Sequence, residues 1–307
     1  MCGLGDFKLQ NTPFCESYHA EMDKTPWVPP SGITLYQALL GSTNWIITLG
    51  RFDIHYSINT LSRYSMTPRE GHMKAMTRVF GYLKYKPKGR ILIDTGQPIV
   101  REDLRPPKDY DWLEFYPDAV ECVPSNRPEP RGKVVTSTCF VDADHARDQL
   151  TRKSVTGIII LVNNTSISWT SKRQKTVESS TYGSELVASR IAVEMLIALR
   201  YQLTMLGCKV EDTSLMVGDN MAVILNTTVP SSSIKKKHQS CNNHKVRESI
   251  AARFVRFQHI KSEDNMADLL TKPLPRATFD KLTAQYLFRR PKTVTGLNPD
   301  KDQVGTT

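Results

Sequence analysis

The chain has 307 residues, which is enough for two domains of ordinary size. Its 39% hydrophobic and 23% charged residues are typical of a globular protein and exclude a chain that is disordered throughout. The net charge of +10 favours an acidic polymer, and the sequence has neither a basic amphipathic helix nor an apolar run long enough to span a bilayer. We therefore expect nucleic acid as the partner and no membrane association.

The cysteines and the first residues bear on the compartment. Six cysteines are scattered along the chain without a Cys-x-x-Cys pair, so we expect reduced thiols and neither a disulfide framework nor a zinc site. The segment that begins at Met1 lacks a basic stretch followed by an apolar core, so no secretory signal is expected. The sequence predicts an intracellular protein, cytoplasmic or nuclear, that is not secreted.

The first third of the sequence predicts an extended lead-in and then a small helical region. Residues 1–32 contain several prolines and little periodicity, which indicates an extended segment. Within residues 33–95, apolar positions at helical spacing predict helices over 34–50 and 54–61. A third helix should begin at Thr67-Pro68-Arg69-Glu70, a capping-box pattern with proline at the first helical position. A strand-like segment over 90–94 closes the region.

Residues 96–132 are rich in proline, which predicts an extended, semi-rigid connector. The connector also carries the aromatic residues Tyr110, Trp112, Phe115 and Tyr116. These rings could stack on nucleic acid bases, or they could hold the connector against a neighbouring domain by burying apolar area. We favour the second interpretation.

Residues 133–274 predict a second domain. Its pattern is three successive strands, a long helix over 180–207, a fourth strand, two short helices, a fifth strand and a further helix. This order predicts the α/β class, with a mixed five-stranded sheet and helices on its faces. Residues 275–288 should form a C-terminal helix, and the polar residues 289–307 should form a disordered tail.

Acidic residues recur where these predicted elements end or begin. Asp142 lies near the end of the first apolar strand, Glu185 near the start of the long helix, Asp219 after the fourth strand and Asp268 in the last helix. An isolated Asp-x-Asp such as Asp142-Ala143-Asp144 usually forms a turn. Carboxylates gathered at one cleft repel each other unless cations neutralise them, so the four together favour a metal site for a hard cation with oxygen ligands.

The stretch from Cys139 to Leu274 resembles the ribonuclease H domain of copia-type (pseudovirus-class) LTR retrotransposon Pol polyproteins. The resemblance rests on the shared order and spacing of several short motifs. These are Asp-Ala-Asp-His-Ala from Asp142, Thr-Arg-Lys-Ser-Val-Thr-Gly from Thr151, Ser-Thr-Tyr-Gly-Ser-Glu-Leu from Ser180, Gly218-Asp219-Asn220, and Asn-Met-Ala-Asp-Leu-Leu-Thr-Lys-Pro-Leu from Asn265. The resemblance implies a ribonuclease H-like fold for this region.

Residues 33–95 resemble, more weakly, the thumb and connection at the end of the copia-type reverse transcriptase. The matching pieces include Arg51-Phe52-Asp53-Ile54 and Pro68-Arg69-Glu70-Gly71-His72. The polymerase of that family uses a Tyr-x-Asp-Asp turn, and the sequence contains none. We therefore expect the polymerase palm upstream of residue 1, with the upstream reverse transcriptase as a partner, and no polymerase activity from this chain.

The resemblance also implies a chemistry. Asp142, Glu185, Asp219 and Asp268 would be the catalytic residues and the ligands of two Mg²⁺ ions, with Mn²⁺ as a substitute, and Asp144 would lie beside them. Two such ions can activate a water and stabilise the leaving oxygen of a phosphodiester. The expected reaction is hydrolysis of the RNA strand of an RNA/DNA hybrid.

Several polar residues are candidates for nucleic acid contacts. Phosphates would be contacted from the third strand and from a lysine run, and the RNA strand from two helix starts. The candidates are Lys172, Arg173, Gln174, Ser180, Asn220, Lys235, Lys236 and Lys237. The alternatives are a solvated basic turn for the lysines and helix capping for Ser180 and Asn220.

Some ribonucleases H carry a histidine in the loop before the fourth carboxylate, but 260–265 contains none, and we expect His238, His244 and His259 to be structural or surface residues.

Three functions remain open from the sequence. The intact set of carboxylates favours a nuclease. A catalytically silent nucleic-acid-binding relic of a retroelement is the alternative, and an integrase-like strand transferase has less support because such enzymes end their carboxylate set in Glu.

Overall fold

The computed structural model describes residues 7–96, 110–234 and 237–287. Seven strands are present there: β1 Arg131–Val135, β2 Ser137–Asp144, β3 Val155–Val162, β4 Thr165–Arg173, β5 Cys208–Val210, β6 Ser214–Gly218 and β7 Val255–His259. The α-helices of this part are α1 Pro30–Thr48, α2 His55–Ser62, α3 Glu70–Tyr85, α4 Thr181–Met205, α5 Met221–Thr228, α6 Ser240–Ala251 and α7 Arg276–Tyr286. None of the helices in the described ranges is both long enough and apolar enough to cross a bilayer.

The centre of the structure is a mixed five-stranded sheet in the order β4-β3-β2-β6-β7. Strands β2, β3 and β4 are antiparallel neighbours, whereas β2, β6 and β7 run parallel to one another. This arrangement confirms the predicted fold class. The three successive predicted strands are β2, β3 and β4, and two short strands that were not predicted, β1 and β5, pair in a separate two-stranded parallel sheet outside the main sheet.

The two faces of the sheet are covered by different helices. Strand side chains alternate between faces, so Val141 and Phe140 point in opposite directions. Val141, Ile158 and Ile160 belong to one buried cluster with residues of α4, α5 and α6. Phe140 and Ile159 belong to a second cluster with residues of α1, α2, α3 and α7. The sheet is therefore buried on both sides, as its continuous apolar strand β3 requires.

The N-terminal helical region thus shares a hydrophobic cluster with the sheet. The segment before α1 is irregular apart from a 3₁₀ turn at Ala20–Met22, yet Phe14 is buried in that same cluster. The boundaries 33–95 and 133–274 stay a prediction. In space, the two regions are held together by apolar contacts and by polar ones such as the ion pair of Arg63 with Asp148 at 2.8 Å.

Two local predictions were wrong near the N-terminal helices. Helix α3 begins at Glu70 with Arg69 as its N-cap, so Pro68 lies before the helix. The Pro68 carbonyl accepts a hydrogen bond from the Val28 amide at 3.0 Å, and the Arg69 amide donates to Nδ1 of His72 at 3.0 Å, which completes the capping box two residues later than predicted. The segment over 90–94 forms only an isolated bridge between Ile91 and Leu287.

The described part of the connector, from residue 110 onwards, is irregular until β1 begins. The hydroxyl of Tyr116 hydrogen-bonds Nδ1 of His244 at 2.6 Å. The Arg247 guanidinium lies 5.6 Å from the Trp112 ring centroid and 5.9 Å from that of Tyr116. Both rings therefore contact α6, in agreement with the interpretation that they hold the connector against its neighbour. Residues 97–109 and the predicted tail at 289–307 lie outside the described residues.

Candidate metal centre

Three of the predicted carboxylates meet at one edge of the sheet. Asp142 lies near the end of β2, and Asp219 follows β6 directly. Because β2 and β6 are parallel neighbours, their carboxyl ends reach the same edge. Glu185 approaches from the N-terminal part of α4, and one carboxylate oxygen from each of the three lies within 4.8 Å of the others. The sequence prediction that these residues converge therefore agrees with the geometry.

A buried glutamine holds the start of α4 against the sheet. The Gln174 amide donates to the Ser184 carbonyl at 2.9 Å and to Oγ1 of Thr156 at 3.0 Å. These bonds tie the end of β4 and the strand β3 to the turn of α4 that carries Glu185. Gln174 is buried, and these bonds within the protein favour a structural role, so its predicted nucleic acid contact stays a prediction.

The fourth carboxylate, Asp268, is carried by a 3₁₀ segment, Met266–Leu270, where an α-helix was predicted. Asn265 begins the segment: its amide donates to the Val141 carbonyl at 3.0 Å, and its oxygen accepts from the Ala267 amide at 3.2 Å. A Cβ on Gly157 would lie 2.6 Å from the Ala267 carbonyl oxygen, so glycine is required for this close approach. The segment is thus fixed directly against β2 and β3.

Asp268 forms an ion pair with Lys272, a lysine that also contacts Asp142. It lies outside the group that meets within 4.8 Å among the described residues. Its Oδ1 is 2.8 Å from Nζ of Lys272, and the same ammonium is 3.9 Å from Oδ2 of Asp142. The Thr271 hydroxyl also donates to Oδ2 of Asp142. Asp142 therefore belongs to the three-carboxylate group and also contacts Lys272, the partner of Asp268.

Burial and mutual repulsion make the ionised carboxylates costly. Burial and the nearby Asp142 raise the pKa of Glu185 well above its usual range, and the same causes raise the pKa of Asp219. They raise the pKa of Asp268 to about 8. Burial lowers the pKa of Lys272, but the negative charges of Asp142 and Asp268 raise it by more. The pKa is therefore raised overall, and the ammonium stays charged. A site of this kind is stabilised by cations.

Asp144 lies at the edge of the same site. Burial raises its pKa to about 6, while the neighbouring Arg147 opposes the rise. Its Oδ2 is buried and accepts no hydrogen bond in the described part of the chain, and the nearest cation is Nε of Arg147 at 3.8 Å. A buried carboxylate oxygen without a hydrogen bond suits a site that holds a cation or a water. The donor set therefore fits a hard divalent metal ion.

The carboxylates open into a cleft of about 590 Å³. Its lining consists of Asp142, Ala143, Asp144, His145, Thr181, Glu185, Asp219, Asn220, Met221 and Lys272. Two of these residues were missed by the sequence reasoning. His145 follows Asp144 at the strand end, with Nδ1 3.4 Å from Oγ of Ser184, and Lys272 is four residues after Asp268. Their closeness in sequence to predicted carboxylates was the available signal.

The other predicted nucleic acid contacts have different surroundings in the structure. Ser180 and Asn220 cap helices: Ser180 accepts from the Gly183 amide, and Asn220 accepts from the amides of Ala222 and Val223. Arg173 pairs with Asp148 at 3.1 Å. The exposed basic residues are Lys172 and Lys237, whereas Lys235 and Lys236 lie outside the described residues.

The sequence has recognisable relatives. The retrovirus-related Pol polyprotein from transposon RE1 of Arabidopsis thaliana is 26% identical over 253 residues, which cover 82% of this chain and 15% of the relative. The corresponding polyprotein from transposon RE2 of the same plant is 25% identical over 250 residues, again 15% of its length. The homologues of this chain are thus Pol polyproteins of copia-type transposons, as the sequence resemblance predicts. The chain spans only about 15% of their length.

Solved structures with a similar arrangement are ribonuclease H domains. RNase H1 from the archaeon Halobacterium salinarum NRC-1 is 14% identical and matches 45% of this chain and 95% of its own, with a TM-score of 0.33. LC11-RNase H1, solved in complex with an RNA/DNA hybrid, is 16% identical and matches 44% of this chain and 94% of its own, with a TM-score of 0.36. No protein-family model matches the sequence.

Proposed function

We propose that this chain is a metal-dependent endonuclease that hydrolyses the RNA strand of RNA/DNA hybrids. The observation that carries the proposal is the convergence of Asp142, Glu185 and Asp219, whose carboxylate oxygens lie within 4.8 Å of one another at the open edge of the sheet. The homology to Pol polyproteins supports it, and so does the net charge of +10.

Mg²⁺ is the cofactor that the donor set favours, with Mn²⁺ as a substitute, because both prefer oxygen ligands. Asp142, Glu185 and Asp219 would hold one ion, and Asp142 with Asp268 would hold a second. Bound there, the ions would supply an activated water and neutralise charge on the scissile phosphate. Asp144 lies at the rim of the cleft beside these ligands, and burial raises its pKa in the metal-free protein.

The remaining residues of the cleft would orient the substrate. Lys172 and Lys237 are exposed and would contact the phosphate backbone, together with Lys235 and Lys236. Asn220 lines the cleft and would contact the RNA strand, where the 2′-hydroxyl distinguishes RNA from DNA. The capping bond of Ser180 accounts for that residue without a substrate contact.

An upstream reverse transcriptase is the proposed protein partner. The match to this chain covers only 15% of the length of each homologous polyprotein. The sequence also lacks the Tyr-x-Asp-Asp turn of the polymerase. We propose that the polymerase delivers the hybrid to the cleft and that the isolated chain does not synthesise DNA.

The test is cleavage of a labelled RNA/DNA hybrid by the purified chain in Mg²⁺ or Mn²⁺. Asp219→Asn should lower the rate by at least about a hundredfold, because it removes one ligand of the three-carboxylate group. Asp118→Asn, at an exposed position of the connector, is the matched control and should cleave as the unmodified chain does. Single-stranded RNA and duplex DNA should remain intact.

Two outcomes would contradict the proposal. Equal cleavage by the unmodified chain and Asp219→Asn would assign the activity to another site or to a contaminant. A folded chain that binds the hybrid with either metal ion but does not cleave it would support the silent nucleic-acid-binding relic.

A further inference from the structure

We propose that Lys272 is an internal cation that occupies the place of a second metal ion between Asp142 and Asp268. The first divalent ion would then bind to Asp142, Glu185 and Asp219 without hindrance, whereas a second would have to displace the Lys272 ammonium. The inference rests on the metal centre of the proposed function and assigns Lys272 the control of how many ions that centre holds.

The first support is the position of the ammonium. Its Nζ is 2.8 Å from Oδ1 of Asp268 and 3.9 Å from Oδ2 of Asp142, so the ammonium is close to both carboxylates, which come from different elements. Magnesium binds oxygen ligands at about 2.0 to 2.1 Å. An ion that used an oxygen of each residue would occupy the space that the ammonium now fills.

The second support is the division of the carboxylates. Asp142, Glu185 and Asp219 meet within 4.8 Å, and Asp268 is outside that group among the described residues. The side chains of Asp142 and Asp268 are 4% and 7% exposed, so neither is well screened by water. The Lys272 side chain is 33% exposed, so its ammonium also reaches the open cleft. One cation is thus already supplied where the second ion would bind.

The third support is the chemistry of lysine. An ammonium donates up to three hydrogen bonds and carries one charge, so it neutralises the pair only in part. Its flexible four-carbon stem allows it to withdraw into the cleft when a divalent ion arrives. The alternative is an ordinary ion pair four residues apart, which would stabilise the chain slightly without affecting ion binding. The number of bound ions distinguishes these two interpretations.

The experiment counts Mn²⁺ ions bound to the full chain by isothermal titration calorimetry and electron paramagnetic resonance, after treatment with a chelator and without nucleic acid. The unmodified chain should bind one ion, and a second at least about tenfold more weakly. Lys272→Met should bind the second ion at least about tenfold more tightly than the unmodified chain does, with the first changed by less than about threefold, because a positive charge near the second position is gone.

Lys245→Met is the matched control. Lys245 forms an ion pair with Glu248 at 3.5 Å on α6, so this variant removes the same charge without altering the cleft lining. It should bind Mn²⁺ as the unmodified chain does. Identical second-ion affinity in Lys272→Met and in the unmodified chain would overturn the proposal, as would two ions of equal affinity in the unmodified chain.

Asp268→Asn keeps the proposal testable if Lys272→Met does not fold, which circular dichroism would reveal. This variant should lose the second ion and keep the first, whereas Asp219→Asn should lose the first. An equal loss of affinity for the first ion in both variants would refute the assignment of Asp268 to the second ion. Absence of any Mn²⁺ binding would refute the metal centre itself, whereas hybrid cleavage with unchanged ion counts in Lys272→Met would refute only the role of Lys272.

Discussion

Replacing Asp268 with asparagine should stabilise the metal-free protein at alkaline pH, although it removes a residue of the candidate metal centre. Asn has nearly the same shape as Asp but carries no charge. In the native chain Asp268 is buried beside Asp142, and burial together with the charge of Asp142 raises the pKa of Asp268 to about 8. The variant therefore removes a buried carboxylate whose ionised form is unfavourable in the folded state.

The sign follows from proton binding. Between pH 4 and pH 8 the native Asp268 keeps its proton while the unfolded residue, with a pKa near 3.8, loses it. The native state binds more protons, so the free energy of unfolding falls as pH rises across this window. Below about pH 4 both states are protonated and the group contributes nothing. In Asp268→Asn the free energy of unfolding does not fall for this reason, because asparagine does not titrate.

The magnitude is on the order of 2 kcal/mol at pH 8.5. A pKa raised from 3.8 to about 8 corresponds to roughly 6 kcal/mol at about 1.4 kcal/mol per pKa unit. Water in the open cleft screens part of the repulsion. The variant also loses the ion pair with Lys272 at 2.8 Å, which offsets some of the gain.

The assay is urea unfolding in the presence of a chelator at pH 5 and pH 8.5, for the unmodified chain, Asp268→Asn and the exposed control Asp118→Asn. The variant should gain little at pH 5 and about 2 kcal/mol at pH 8.5. Excess Mg²⁺ should reverse the order, because the unmodified chain alone keeps all four carboxylates. A variant that is no more stable than the unmodified chain at pH 8.5 would refute the reasoning.

Three further changes test the surroundings of the site. Gly157→Ala should cost at least about 2 kcal/mol and slow hybrid cleavage at least about tenfold, since a Cβ 2.6 Å from the Ala267 carbonyl must displace the Asp268 segment; unchanged urea stability would contradict this. Asp148→Ala should lower the free energy of unfolding by about 3 kcal/mol in the same assay, because it leaves Arg63 and Arg173 without their shared buried partner. A loss below about 1 kcal/mol would show that these ion pairs contribute no more than exposed ones. Gln174→Ala should cost about 1 to 3 kcal/mol of unfolding free energy and leave the salt dependence of hybrid binding unchanged. Lys172→Ala should reduce the slope of log binding constant against log salt concentration by about one. The opposite pattern would support Gln174 as a phosphate contact.

The carboxylate centre could be predicted because its residues are marked by local sequence. Asp142 and Asp219 end apolar strands, and Glu185 follows a Ser-Thr helix start, so each had a recognisable position before the sheet was known. The order of those strands in the sheet then follows from the ribonuclease H resemblance. What brings the three together is the parallel pairing of β2 with β6, which no local pattern contains.

The role of Gln174 could not be predicted, because it depends on burial. Its neighbours Lys172 and Arg173 are basic, so the sequence suggested a phosphate-binding turn. In the structure β4 brings Gln174 against α4, where its amide donates to the backbone carbonyl of Ser184. Lys272 was missed for a similar reason, since its contact with Asp142 joins residues 130 positions apart. Contacts of this kind are fixed by tertiary packing.

The start of α3 shows how tertiary contacts override a local pattern. Thr67-Pro68-Arg69-Glu70 has the composition of a capping box, but the Pro68 carbonyl and the Glu70 amide are bonded to residues of the segment before α1. Those bonds hold the chain in an extended form through Arg69. His72 then provides the reciprocal capping bond that Glu70 was expected to give.

The hydrophobic cluster shared by the sheet and the N-terminal helices makes the two halves of the chain mutually dependent. A fragment that began at residue 133 would lose the residues of α1, α2 and α3 from this cluster and would uncover the apolar side chains that pack against them. Such a fragment would expose a broad apolar surface and tend to aggregate. A chain cleaved within the connector, in contrast, should stay together as two non-covalently associated pieces, and separately produced halves should reassemble. The protein would therefore behave as one cooperative folding unit even after its peptide backbone is interrupted.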